Sequence, residues 1–234
     1  MFMRWHDLLF IHWRVDPALL RPHIPSSIEL QTFDGSAWLG VVPFWMSGIR
    51  ARFTPPVPGL SRFPELNVRT YVTAEGKPGV WFFSLDAASK IAVRVARCTF
   101  HLNYLDARMA CDVDAASEVR YSSIRTHQGE PSATFDATCA PTGSPFTAEP
   151  GSLDHFLTDR YCLYAAAPDG RTFRGEIAHR PWPLQAARLE LRANTMTQSL
   201  GISLPPKVPS EYLRFAKRLD VVAWLPERVA SGPA

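Results

Sequence analysis

Lys77, Lys90, Lys207 and Lys217 are the only lysines of this 234-residue chain, so imine chemistry on a carbonyl substrate has four side-chain candidates. The remaining basic residues are arginines, which stay charged and suit carboxylate recognition. Cys98, Cys111, Cys139 and Cys162 are well separated and form no CxxC pair, which predicts reduced, mostly structural thiols. His6 and His12 share the face of one extended segment but stand roughly 20 Å apart at ~3.3 Å per residue, too far to clasp one ion. Neither HxH nor HExxH occurs, so no metal site is expected. GxSxG, a P-loop and GxGxxG are absent as well, which argues against three common enzyme classes and gives no reason to expect a cofactor. The run HRPWPLQ, with His179 and Trp182, sets two prolines around an aromatic and reads as the brace of a sheet corner rather than as part of a site.

These residues must be positioned mainly by strands. The segment from Met3 to Arg14 reads as a strand, followed by a short helical turn that Asp16 caps and Pro17 opens. AWLGVVPFWM, from Ala37 to Met46, is apolar at successive positions, as expected of a strand covered on both faces with Pro43 at a bulge or edge. The proline-rich ARFTPPVPGLSRFP reads as an extended loop that could flank a pocket mouth. Leu66, Val68, Thr70 and Val72 then alternate with Glu65, Asn67, Arg69 and Tyr71, giving a strand with one apolar and one polar face. EGKPG turns the chain into a second strand, GVWFFSLD. Ala88, Ile91, Val95 and Cys98 recur at helical spacing and predict a short helix packed on the sheet. Further strands are expected over residues 107–113, 117–126, 132–137, 161–166, 172–178 and 219–225, with 138–151 as loop and a helix after Ser152.

An apolar content of 46% with 12% aromatics can bury a substantial core in one domain spanning residues 1–234. The net charge of +3 is spread along the chain without a block of like charge, which argues against nucleic acid as a partner. His6, Asp7, His12 and Arg14 break the N-terminal apolar run, and no run reaches the ~18 residues of a membrane span. The expectation is a cytoplasmic protein with no membrane partner.

WHDLLFIHWRVDPALLRPHIP, FPELNVRTYVTAEGKPGVWFFSLDA and AVRVARCTFHLNY, in that order and at that separation, resemble the YqjF-like family (domain of unknown function 2071). That family looks like a distant branch of the acetoacetate decarboxylase superfamily. FDGSAWLGVVPF, FLTDRYCLY and RLDVVAW extend the family resemblance over most of the chain, whereas the likeness to the decarboxylases themselves covers about the first 105 residues. It implies an α+β fold, an antiparallel β-barrel of the acetoacetate decarboxylase kind with a few short helices and an interior pocket for a small organic ligand. It also places Glu65 at the decarboxylases' glutamate, His6 where they carry an arginine, and Tyr104 where they carry the Schiff-base lysine. A phenol cannot form an imine, and Lys90, the one lysine nearby, would have to turn inward from a helix to replace it.

The acid–base set this matching implies is Glu65, Tyr104 and His6, with Arg97, Arg69 and His101 as substrate-binding groups and Trp45 or Trp81 as an apolar wall. A desolvated glutamate beside a neutral phenol can pass protons to and from a carbonyl or enol. The leading expectation is an enzyme acting on a small oxo-acid or enol-type metabolite without a Schiff base. The alternative is a non-catalytic small-molecule binding protein that kept the barrel and lost the lysine. Whether the chain forms a homo-oligomer is left open.

Overall fold

The chain opens on β1 (Phe2–Val15), whose run of apolar residues needs cover on both faces. After it come α1 (Pro17–Leu20), β2 (Glu29–Leu30), β3 (Ala37–Arg50), β4 (Phe63–Ala74), β5 (Lys77–Ala87), α2 (Lys90–Phe100), β6 (Tyr104–Val113) and β7 (Val119–Arg125). The second half adds β8 (Thr134–Phe146), α3 (Leu153–Thr158), β9 (Cys162–Ala166), β10 (Thr172–His179), β11 (Leu184–Asn194), β12 (Tyr212–Ala223) and β13 (Glu227–Arg228). This computed structural model describes residues 1–56, 61–167 and 169–229, so part of the proline-rich loop lies outside the described residues. Among them no helix is long and apolar enough to cross a membrane.

Local chemistry explains most boundaries. Asp16 accepts a hydrogen bond from the Ala18 amide and Pro17 occupies the first helical position of α1. Glu75 and Gly76, at φ of 52° and 70°, make the two-residue turn that joins β4 to β5, a turn that needs positive φ at both positions. The β1–β3 register gains one residue on β1 between His6 and Ile11, where Asp7 takes a φ of 48°. Pro43, which has no N–H to give, lies on β3 across from that bulge.

The strands close on themselves. β5, β6, β7, β8, β11, β12, β1, β3 and β4 form a ring of nine, because β4 pairs with β5. β12 also pairs with β10, so β5, β9, β10, β12, β1, β3 and β4 form a second ring of seven. The strands common to both rings make a wall with a ring on either side. Leu9, Ile11 and Trp13 of β1 therefore enter one core, while Leu8 and Phe10 enter the other. β3 divides likewise, Leu39 and Val41 against Trp38, Val42, Phe44 and Met46. The ladders are antiparallel except β5–β6 and β5–β9, which are parallel; the β5–β6 crossover runs through α2.

Four expectations need correction. β8 continues to Phe146, where a loop had been expected from Thr138 onward. β11 was not expected at all, although Ala187, Leu189 and Leu191 alternate with exposed Arg188, Glu190 and Arg192. β12 begins at Tyr212, well before the expected residue 219. Finally, the apolar stripe of α2 does not pack on the sheet: Ile91 and Val95 are more than half exposed and Cys98 is exposed, with Val93 the buried position. Ile91, Val95 and Phe100 line an open cavity instead.

Candidate functional site

The ring of nine is filled by side chains, whereas the ring of seven holds a cavity of about 700 Å³. The polar face of β4 explains the difference. Leu66, Val68 and Val72 point into the filled core, and Glu65, Asn67 and Arg69 point into the cavity. Glu65, Asn67 and Arg69 are buried, so the alternation read from the sequence separates an apolar interior from a polar one, not core from solvent. Gly40 of β3 makes room at the inner end: a Cβ there would stand 2.5 Å from His12 Nε2 and 3.3 Å from Arg69 Cγ. At the outer end Met3, Met46, Ile49, Ile91 and Val95 give the mouth an apolar rim, and Arg52 and Pro55 of the proline-rich loop join it.

Glu65 and Tyr104 meet in this cavity. The Tyr104 hydroxyl donates to Glu65 Oε2 at 2.8 Å. Tyr104 is held there because α2 ends at His101 in a left-handed conformation, which sends the chain directly into β6. Burial raises the Glu65 pKa to about 8, assisted by the neighbouring charge of Asp86 and opposed by the Tyr104 hydrogen bond. Burial and Glu65 together push the Tyr104 phenol well above its ordinary value. Behind the pair, Asp86 is gripped by Arg125 through bonds of 2.9 and 2.8 Å, and Arg125 also donates to Ser84. Asp86 neighbours Glu65 across the β4–β5 ladder, where Leu66 faces Asp86 and Glu65 faces Ala87.

The inner end is closed by α3. Tyr71 donates to the Leu157 carbonyl at 2.7 Å and is itself 2.7 Å from His12 Nε2. Since the phenol proton goes to Leu157, His12 donates its Nε2–H to the phenol oxygen, and burial keeps its imidazole neutral. Trp182 donates to the Thr158 carbonyl at 2.9 Å and stacks on Trp5. Arg160, two residues past the end of α3, is tied to the Phe156 carbonyl and Gln31.

Of the residues expected at the site, Glu65, Tyr104 and Arg69 line the cavity and the others do not. His6 faces away, bonded to Ser47 at 2.7 Å and stacked 3.8 Å over Trp45, with burial lowering its pKa to about 4. Trp45 lies beside it and gives its Nε1–H to Asp7. Trp81 belongs to the filled core. Arg97 is exposed and donates to the Tyr104 carbonyl, so it supports the strand rather than a ligand. His101 stacks on Phe173 outside the cavity. Lys90 is exposed with Arg94 and Arg97 along an open surface groove, and none of the four lysines lines the cavity. Asn67, Trp5, Arg160, His179 and Trp182 line it and were not expected. The sheet-corner reading of HRPWPLQ is overturned for His179 and Trp182, because that corner is also a cavity wall.

Solved structures with this fold include the enduracididine biosynthesis enzyme MppR complexed with pyruvate, at 13% identity and a TM-score of 0.64 over 99% of this chain and 91% of that one. An acetoacetate decarboxylase-like enzyme from Sphingomonas wittichii RW1 matches at 13% identity and a TM-score of 0.65, over 98% of this chain and 93% of that one. Acetoacetate decarboxylase from Legionella pneumophila matches at 14% identity and 0.62, over 100% and 88%. At such identities the likeness is one of fold, acetoacetate decarboxylase-like. Among sequences, the uncharacterized protein YqjF of Bacillus subtilis (strain 168) is 45% identical over 96% of this chain and 90% of its own length. Residues 2–220 match the DUF2071 family, described as an uncharacterized conserved protein, and the chain belongs to that family.

Proposed function

We propose that this chain binds a small carbonyl or enol-type metabolite in the cavity of the ring of seven and acts on it by general acid–base chemistry, without a Schiff base. The observation that carries the reading is the 2.8 Å contact between the Tyr104 hydroxyl and a buried Glu65 carboxyl with a pKa near 8, in a cavity that no lysine lines. A base works best when its pKa lies near the working pH, and at pH 7 roughly a tenth of Glu65 is ionised. That carboxylate takes a proton from the carbon beside the ligand's carbonyl. The electron pair of the broken C–H bond forms the enol double bond, and the carbonyl pair moves to oxygen. Tyr104, whose raised pKa keeps its proton in place, turns its hydrogen bond from Glu65 to that oxygen. A structural neighbour recorded with pyruvate, a small oxo-acid, is consistent with a ligand of this class.

Deuterium uptake into pyruvate and longer 2-oxo acids in D2O, followed by proton NMR, tests the proposal. The wild-type protein accelerates exchange, the rate climbs with pH and levels off as Glu65 becomes ionised near pH 8, and E65Q lowers it by about 100-fold or more. Equal rates in wild type and E65Q would end the acid–base reading. The position of His6 and His101 outside the cavity favours the second reading, a binding protein without catalysis. Ligand binding without accelerated exchange is the result that would select it.

A further inference from the structure

The inner end of the cavity carries charge that no carboxylate among the described residues pairs with; the guanidiniums of Arg69 and Arg160 lie over the rings of Phe10, Tyr71 and Phe156 instead. Arg69 and Arg160 are 9% and 8% exposed, and both line the cavity. Neither has a carboxylate within ion-pair distance among the described residues. The nearby acids do not fill the gap. Glu65 holds its proton at neutral pH, Asp86 is taken by Arg125, and Asp159 acts on Arg160 only from beyond salt-bridge range. His12 and His179 stay neutral through burial, so they neither add to nor offset the charge. The two guanidiniums also repel each other, since the charge of Arg69 disfavours that of Arg160. Buried charge without a counter-ion is costly, and a protein tolerates it where a ligand supplies the opposite charge.

Hydrogen bonding marks the same place. Arg69 Nη2 makes a 3.3 Å bond to the Leu157 carbonyl, while its Nε–H has no partner. Asn67 Oδ1 and Trp5 Nε1, both on the cavity wall, are buried and unpartnered too. The free edge of a guanidinium matches the planar, two-oxygen edge of a carboxylate. Asn67 Oδ1, between Glu65 and Arg69 on β4, accepts from a hydroxyl or enol next to it. At ~3.3 Å per residue the Cα of Arg69 lies about 13 Å further along β4 than that of Glu65. From Glu65 outward the walls are Phe44, Phe63, Met46 and Ile49, then the exposed Ile91 and Val95 of α2.

Size points the same way. About 700 Å³ corresponds to the liquid volume of on the order of twenty water molecules, so an acid of three or four carbons would leave most of the apolar wall wetted. We propose that Arg69 and Arg160 form an anion subsite that receives the carboxylate of an elongated, amphiphilic carboxylic acid, with its apolar body passing Glu65 and Tyr104 and ending at the mouth beside α2. This proposal rests on the cavity described above and adds the length and charge of the ligand it holds, but it requires no chemistry at Glu65.

Calorimetric titration with octanoate, 1-octanol, acetate and octyl phosphate tests it on the wild-type protein, with Trp5 and Trp182 fluorescence as a second readout. Octanoate is expected to bind at least tenfold more tightly than 1-octanol, which lacks the charge, and than acetate, which lacks the tail, and no more weakly than octyl phosphate, whose tetrahedral head group is bulkier than a planar carboxylate. R69M should lose tenfold or more in octanoate affinity with little change for 1-octanol. E65Q should keep octanoate binding even where it stops deuterium exchange, which separates this proposal from the catalytic one. Binding of 1-octanol or acetate as tight as octanoate, or tighter binding of octyl phosphate, would overturn the proposal. So would an R69M variant that binds octanoate like wild type, and if R69M does not fold, the four wild-type titrations decide alone.

Discussion

Burying a carboxyl group costs more when it is charged, so Glu65 reports on its surroundings through its proton. In the unfolded chain it ionises near 4.5, whereas in the fold it holds its proton to about 8. The folded state therefore binds the extra proton between those values. The stability this gives is fully present below pH 4.5 and is lost as the pH rises through 8, by at most ~5 kcal/mol. Denaturant melts from pH 5 to 9 should show wild type losing stability over that window relative to E65Q, which has no proton to lose there. Parallel curves would mean that Glu65 is solvated. Y104F should push the Glu65 pKa higher still, since it removes the hydrogen bond that favours the carboxylate. How much of this was legible depends on the face of the strand. Glu65, Asn67 and Arg69 were rightly grouped by their alternation, but a period of two cannot say whether the polar face meets water or a cavity. His6 failed for the same reason. Trp5 and His6 are neighbours on one strand and point to opposite sides, and the resemblance placed the position without its direction.

At the scale of elements, close backbone approaches hold the cavity wall together. Gly79 of β5 sits where β9 runs parallel to it, and a Cβ there would lie 2.5 Å from the Cys162 carbonyl and 2.6 Å from the Tyr164 ring. G79A must move a backbone atom, so it should cost about 1–3 kcal/mol or more in chemical unfolding; a neutral result would show that the β5–β9 approach is looser than described. α3 hangs on Tyr71. Y71F would leave the His12 Nε2–H without a partner and the Leu157 carbonyl with only the longer bond from Arg69, at a cost of about 1–3 kcal/mol, and should speed amide exchange in α3 ahead of the strands. Unchanged exchange in α3 would mean that Trp182, Arg69 and the Arg214–Asp154 pair secure it without Tyr71. β11 could have been read from its strict alternation of Leu189 and Leu191 with Arg188 and Glu190. α2 could not, because its apolar stripe has the same spacing whether it faces a sheet or the opening of a cavity.

Over the whole molecule, one wall of shared strands serves two interiors, and each consecutive pair of apolar residues in β1 and β3 supplies both. The repeated short strands made an all-round β architecture legible in advance. The second ring was not, since it is closed by the pairing of β10 with β12, distant in sequence and carrying no local mark. That ring keeps its cavity because Glu65, Asn67, Arg69 and Arg160 replace the aliphatic side chains that fill its neighbour. The proposed chemistry requires this cavity to hold a carboxyl poised near neutral pH. Carbon-13 NMR of side-chain carboxyls, titrated from pH 4 to 9.5 in wild type and E65Q, reads that group alone. A resonance absent from E65Q should titrate near pH 8, and a midpoint near 4.5 would mean that Glu65 is an ordinary solvated carboxylate with no such role.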